Sequence, residues 1–306
     1  MKKTAIVTAY YVDLHGTKYG GRNPPRNHQY QGSFSSLAKM TDADFFIFCG
    51  PNSVSELEYL KEKHPDISIT IIPYDFENFY FKHLFEKYKD FKEAYEGNRC
   101  QELQFCKTLW MKQIADQYDY ENLFWFDIGI SYSGLLPDKY MILQEGQQFE
   151  YYNSELMCND LLRGLIKHTG DNITFLHIAN KDFFIYRKHI DLKYFPEGYK
   201  HEWHAIAGIF GGKRENIGWL HDTFVKEGEF FITDSQTVED EEVIYNIISF
   251  KYPEKVAILN FEVWHHEDNN HTWTEGDTEY AAAYRAAKPY YHVLEHLIEL
   301  GKNSNG

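Results

Sequence analysis

The sequence predicts an α/β fold: a mostly parallel central sheet flanked by helices, in a single domain. Three observations predict it. Over the first 75 residues, short β-branched and apolar runs alternate with helical stretches, the rhythm of βαβ units. Leu123-Phe124-Trp125-Phe126 is continuously apolar, as expected of a strand covered on both faces. The 306 residues exceed the usual domain size, yet no linker-like break divides them. The domain is read over residues 1–268, with 269–306 as a partly helical C-terminal extension.

Thr4 to Ala9 is β-branched and apolar and reads as the first strand. It opens into a long loop, Tyr10 to Gly32, that carries Gly16, Gly20, Gly21, Pro24 and Pro25 with Lys18, Arg22, Arg26 and His28. Such a segment offers backbone N–H groups and a guanidinium fork to phosphate oxygens, without P-loop or dinucleotide spacing; the alternative is a surface lid. Ser33 to Lys39 is a short helix, and Asp44 to Cys49 a second buried strand closed by Gly50-Pro51. Ser53 with Glu56 three residues on is a capping-box signature for a helix to Lys63, and Ile67 to Ile72 is the third strand.

Aromatic and charged residues interleave at helical spacing from Asp75 to Glu96. A second helix, Glu102 to Gln117, carries Phe105, Leu109, Met111 and Ile114. Lys107 lies in it, either solvated or pointing at a ligand phosphate or sugar hydroxyl. Beyond Asp127, Asp160 to His168 reads as helix, and Ile173 to Ile178 and Phe183 to Arg187 as strands. The run ending Phe210-Gly211-Gly212 reads as a turn. Its bare backbone is either a plain hairpin or a place for substrate to come close, with Trp203 and His204 at the wall. A helix from Glu215 to Val225 follows. Val256 to Phe261 is the last strand.

Composition excludes several classes. A net charge of −15 argues against a nucleic-acid surface. No stretch of 18 apolar residues exists to span a membrane, and the apolar run after Met1-Lys2-Lys3 stops at Tyr10-Tyr11-Val12-Asp13, too short for a signal peptide. A cytoplasmic protein is expected, its four cysteines reduced because none has CxxC spacing. Aromatics at 17% either fill the core or line a cleft that stacks on sugars or bases.

Chemistry concentrates at three places. Asp127 ends its strand, and in open α/β sheets the strand carboxyl ends face the ligand crevice; Gly129 lets backbone come close there. A carboxylate in that position suits a hard divalent cation shared with phosphates, or simply caps a turn. Glu239, Asp240, Glu241 and Glu242 open an amphipathic helix. Acidic first turns are ordinary helix-dipole chemistry, but four carboxylates exceed that need, and one in a cleft acts as nucleophile or orients an acceptor. His265 and His266 point to opposite faces of an extended chain, so one of them is placed to complete a metal shell with Asp127; imidazole with carboxylate suits manganese. No HExxH zinc motif exists.

Taken in order, Thr8-Ala9-Tyr10, Lys107-Thr108-Leu109-Trp110-Met111, Phe124-Trp125-Phe126-Asp127-Ile128-Gly129-Ile130, Phe210-Gly211-Gly212 and Asp240-Glu241 resemble a GT-A glycosyltransferase. The first half is similar to the bacterial HtrL/YibB family. The second half, from Trp203-His204 to Phe261-Glu262-Val263-Trp264, is similar to the retaining galactosyl and N-acetylgalactosaminyl transferases related to the blood-group enzymes.

The resemblance implies a GT-A-like sheet and a UDP-sugar or other nucleotide-sugar donor, with Thr8, Ala9 and Tyr10 near its base. It also implies a glycan or other hydroxyl acceptor beside Trp203 and His204. Asp127 falls at the Asp-x-Asp metal position, for Mn2+ or Mg2+. Glu241 falls beside the anomeric carbon, as nucleophile or electrostatic support. Gly129 departs from the pattern by replacing the second Asp. Either Asp127 binds metal with His265 or His266, or catalysis is metal-independent. Two other classes share parts of this signature: a sugar-nucleotide-forming nucleotidyltransferase and a non-catalytic carbohydrate-binding module.

Overall fold

A computed structural model describes residues 3–11, 27–76, 79–88, 100–130, 156–179, 192–195, 203–259 and 293–303. Among these residues seven strands form one sheet in the order β3-β2-β1-β4-β6-β5-β7. They are β1 (Thr4–Tyr10), β2 (Ala43–Cys49), β3 (Ile69–Pro73), β4 (Asn122–Phe126), β5 (Ile173–Ala179), β6 (Trp203–Lys213) and β7 (Val256–Leu259). β1 pairs in parallel with β2 and β4, β2 with β3, and β5 with β7. Only β6 runs against its neighbours, between β4 and β5. The architecture is thus α/β with a mostly parallel sheet, as the alternation of the first 75 residues predicts.

Helices cover both faces. One core layer gathers Trp110, Met111, Phe224, Ile244 and Ile248 against Val7, Trp125 and Phe210. These come from α4 (Cys100–Gln117), α6 (Arg214–Ser235) and α7 (Glu241–Lys251), with α3 (Lys82–Tyr88) beside them. The other layer packs α1 (Asn27–Leu37), α2 (Val54–Lys63) and α5 (Asn159–Thr169) against Ile6, Phe45, Ile47 and Phe124. A last helix, α8, residues 293–302, sends Val293, Leu294 and Leu297 into this second layer. Its Gly301 and the Gly164 of α5 lie where an added Cβ would strike the other helix's backbone, at 1.9 Å from Asp160 O and 1.8 Å from Leu297 O. The end of the expected C-terminal extension therefore belongs to the same core, and the boundary at 268/269 lies outside the described residues.

Local expectations fail where a long-range partner intervenes. Ser53 makes no side-chain cap on α2, because it ends the 3-10 turn Pro51–Ser53 in a helical conformation. The Glu56 carboxylate of the expected box instead accepts from the Tyr10 hydroxyl and from Gln31 Nε2 at 3.2 Å. Phe210-Gly211-Gly212 is not a turn; it lies inside β6. A Cβ on Gly211, at φ +145°, would meet Leu123 O at 2.2 Å, and one on Gly212 would meet Asn172 O at 2.3 Å. Close passage of the two neighbouring strands accounts for both glycines. The strand expected over Phe183 to Arg187, and the helical rhythm beyond Tyr88, lie outside the described residues.

Candidate active site

The carboxyl end of β4 delivers Asp127 to the edge of the sheet, where its amide donates to Gly208 O at 2.8 Å. β6 is irregular beside it. Phe175 pairs with Phe210 but Leu176 pairs with Ile206, so Ala207, Gly208 and Ile209 have no partners on β5. Bulges of this kind re-aim backbone groups next to sites. Here the freed carbonyl of Ala207 accepts from Lys107 Nζ at 3.1 Å.

Lys107 is the centre of the arrangement. Its ammonium lies 2.9 Å from Asp127 Oδ1 and 2.9 Å from Glu241 Oε1, and 5.4 Å from the centre of the Trp125 ring. Only 2% of the residue is exposed. Burial pulls its proton affinity down, but Asp127 and Glu241 more than offset this, so it is held charged above the ordinary lysine range. The placement follows from α4: Leu103, Trp110, Met111 and Ile114 lie at i−4, i+3, i+4 and i+7 from Lys107, so its side chain leaves the face the helix turns toward the sheet.

Glu241 is the first residue of α7, with Asp240 at the N-cap. Only 1% of it is exposed, and its Oε2 has no hydrogen-bond partner among the described residues. Burial raises its carboxyl to about 7 against the pull of Lys107, helped by the neighbouring charges of Glu242 and Asp240. One ammonium balances one negative charge, and the fully buried carboxyl of the pair is the one driven toward its neutral form. The rest of the α7 start is tied to the bulged strand. Glu242 Oε1 accepts from the Ala207 amide at 3.2 Å, and Asn246 Oδ1 from the Ala205 amide at 2.8 Å. One turn beyond Glu241, the buried Tyr245 hydroxyl also has no partner among the described residues.

Asp127 is the accessible member, its side chain 40% exposed. Oδ1 already accepts twice, from Lys107 and from Trp125 Nε1 at 2.7 Å. Oδ2 faces no described donor. Two residues along, a Cβ on Gly129 would lie 2.8 Å from the Tyr30 ring, so an aromatic edge fills the place of the second carboxylate of an Asp-x-Asp pair. Among the described residues no three His, Cys, Asp or Glu side chains gather as a metal shell. Among the described residues, a carboxylate oxygen beside a lysine ammonium is by itself a poor seat for a divalent ion, which needs several oxygen donors; His265 and His266, expected to share the ion, lie outside them.

Thus Lys107, Asp127, Glu241 and Asp240 come together. Thr8, Ala9 and Tyr10 are buried in the carboxyl half of β1, Thr8 with no partner for its hydroxyl among the described residues and Tyr10 tied to Glu56. Trp203 and His204 open β6, paired with Ala179 and Ile178. Gly211 and Gly212 lie farther along the same strand. Arg22, His265 and His266 lie outside the described residues. Sequence reasoning passes over Trp125, Ala207 and Tyr30. Of these only Trp125 carries a signal, since two residues before Asp127 it shares its face of the strand.

No protein-family model matches the chain, and no curated protein matches it, so the likenesses to the HtrL/YibB and blood-group families have no match of either kind beside them. Among solved structures, the apo form of mouse xyloside xylosyltransferase 1 aligns at 12% identity and a TM-score of 0.46, covering 83% of this chain and 84% of that one. The 4-diphosphocytidyl-2C-methyl-D-erythritol synthase of Anaerococcus prevotii DSM 20548 aligns at 11% identity and a TM-score of 0.45, covering 93% and 95%.

Proposed function

We propose that the chain is a glycosyltransferase of the hexosyltransferase type that moves a sugar from a nucleotide-sugar, a UDP-sugar, to a hydroxyl of a glycan acceptor, with retention. The observation that carries this reading is the buried Lys107 joining an exposed Asp127 at a strand's carboxyl end to a buried Glu241. Neither a turn-capping aspartate nor a plain carbohydrate-binding surface needs a buried ammonium with two carboxylates. The ordered resemblance to GT-A enzymes supports the donor class. Asp127 faces the donor; the bulged strand β6, opened by Trp203 and His204, lies toward the acceptor.

Sugar–phosphate cleavage leaves positive charge on the ring and negative charge on the departing diphosphate. Groups fixed before the reaction stabilise that separation better than mobile water does. Glu241 acts here as electrostatic support. Its burial keeps it from reaching a sugar in this conformation, so it works by holding Lys107 and, through it, the orientation of Asp127. Basic residues of the first loop, Arg22 among them, are the proposed partners of the diphosphate.

A thermal-shift screen of UDP-, GDP-, CMP- and dTDP-sugars tests the reading, because a bound ligand raises apparent stability by mass action. A UDP-sugar is expected to raise Tm and to be consumed with an acceptor, the product keeping its anomeric configuration. A chain that no nucleotide-sugar stabilises is not this enzyme. Pyrophosphate release from a nucleoside triphosphate would mark a nucleotidyltransferase instead.

A further inference from the structure

We infer that Lys107 holds the place a divalent cation would take, and that Asp127 meets its ligand as an acceptor of a neutral donor, a sugar hydroxyl, rather than as a metal ligand. The identity of that ligand rests on the transferase reading; the commitment of Asp127 to an ammonium does not. Two independent observations carry it. The ammonium sits 2.9 Å from one oxygen of each carboxylate, so a positive charge already stands between them. At the position of a second Asp, Gly129 is covered by the Tyr30 ring. That ring is itself placed by α1 and lies edge-on to Tyr10 with centroids 6.3 Å apart, so the position is occupied rather than vacant.

The remaining acceptor is Asp127 Oδ2. With Oδ1 bound by Lys107 and by the Trp125 N–H, the carboxylate is fixed in rotation and its charge is largely answered. Oδ2 is then a poor cation ligand but a well-oriented acceptor for an O–H. Lys107 itself is too deeply buried to touch a phosphate, so it serves as a positioning residue.

The test uses the whole chain and reads metal uptake separately from activity. Mn2+ is titrated against the protein alone, and against the protein with UDP, while the free-ion electron paramagnetic resonance signal is followed; Tm is recorded with a UDP-sugar in EDTA and in Mn2+. The expected result is no depletion of the free Mn2+ signal beyond that caused by UDP, and the same UDP-sugar shift in both buffers. Lys107→Ala opens a gap between two carboxylates. It is expected to gain a Tm rise of several degrees on adding Mn2+ that the unaltered chain does not show.

Should Lys107→Ala fail to fold, the unaltered chain's titration still decides. Stoichiometric Mn2+ uptake that disappears in Asp127→Asn would overturn the inference, whatever the enzyme does. Absence of any UDP-sugar shift together with absence of Mn2+ uptake would sink the transferase reading while leaving Lys107 as the resident cation.

Discussion

Among the described residues two buried carboxylates meet a lysine, and they have opposite characters. Glu227 on α6 is 2% exposed, yet both of its oxygens are answered: Oε1 accepts from Tyr252 at 2.7 Å and Lys251 at 3.0 Å, and Oε2 from Lys251 at 2.8 Å. Burial raises its proton affinity, but the hydrogen bonds from Lys251 and Tyr252 outweigh that and leave it below the ordinary range. Glu241 has one answered oxygen, shares its lysine with Asp127, and is raised. A carboxylate with a full set of donors is a structural tie. One kept short of donors at the start of a helix, joined through a lysine to the carboxylate that ends β4, marks a candidate site.

Removing the lysines should separate the two most sharply. Lys107→Met leaves two carboxylates facing one another without a counter-charge, and is expected to cost ~3–5 kcal/mol in urea unfolding at pH 8, where Glu241 is less able to escape by taking a proton. Lys251 is 46% exposed and leaves Glu227 with Tyr252, so Lys251→Met should cost only about 1 kcal/mol. Equal costs would erase the distinction.

A second contrast concerns activity. Glu241→Gln keeps an acceptor for Lys107 but removes the charge, and is expected to lower turnover roughly 100-fold with donor KM changed little. Glu227 is bound to Lys251 and Tyr252, at the opposite end of α7 from Glu241, and Glu227→Gln should leave turnover within about twofold. Unchanged transfer in Glu241→Gln would remove that residue from the mechanism.

How much of this was legible beforehand differs by distance along the chain. The alternation of strands and helices, the apolar run of β4 and the carboxylate at its end are local patterns, and they place Asp127 correctly on the sheet edge. The burial of Lys107 was also written locally, since Leu103, Trp110, Met111 and Ile114 put it on the apolar face of α4; lysine's ordinary preference for solvent obscures that signal. The reversal of β6 and the bulge at Ala207-Gly208 leave no mark in the sequence, because they depend on which strands become neighbours. Glycines ask only for closeness. Gly211 satisfies that need against Leu123 of β4, and a turn would ask for the same residue. The cap expected from Ser53 and Glu56 was lost to Tyr10, 46 residues from that glutamate.

The two carboxylates should also give pH dependences of opposite sign. Glu241 is raised from 4.5 to about 7 in the folded chain, so the folded state binds more protons between those values and stability falls as pH rises through that window. Glu227 is lowered, so its contribution is present above about 4.5 and is lost as the solution becomes more acid. Tm measured from pH 3 to 8 should therefore show a shallower decline between 4.5 and 7 in Glu241→Gln, and a shallower acid limb in Glu227→Gln. A decline above 4.5 that Glu241→Gln leaves intact would assign it to another group.

The smallest effects test the same comparison at two tyrosines of α7 and its end. The Tyr252 hydroxyl supplies one of the donors that make Glu227 complete, so Tyr252→Phe should cost ~1 kcal/mol in urea unfolding. The Tyr245 hydroxyl is buried near Glu241, Asp127 and Glu242 with no hydrogen bond among the described residues, and Tyr245→Phe removes that polar group. It should be neutral or slightly stabilising, by up to about 1 kcal/mol, because the desolvation of an unpaired hydroxyl is relieved while the ring keeps its packing on Phe175, Phe210 and Phe224. A loss as large as that of Tyr252→Phe would mean that the hydroxyl is answered after all, and the region around Glu241 would then be as complete a tie as the one around Glu227.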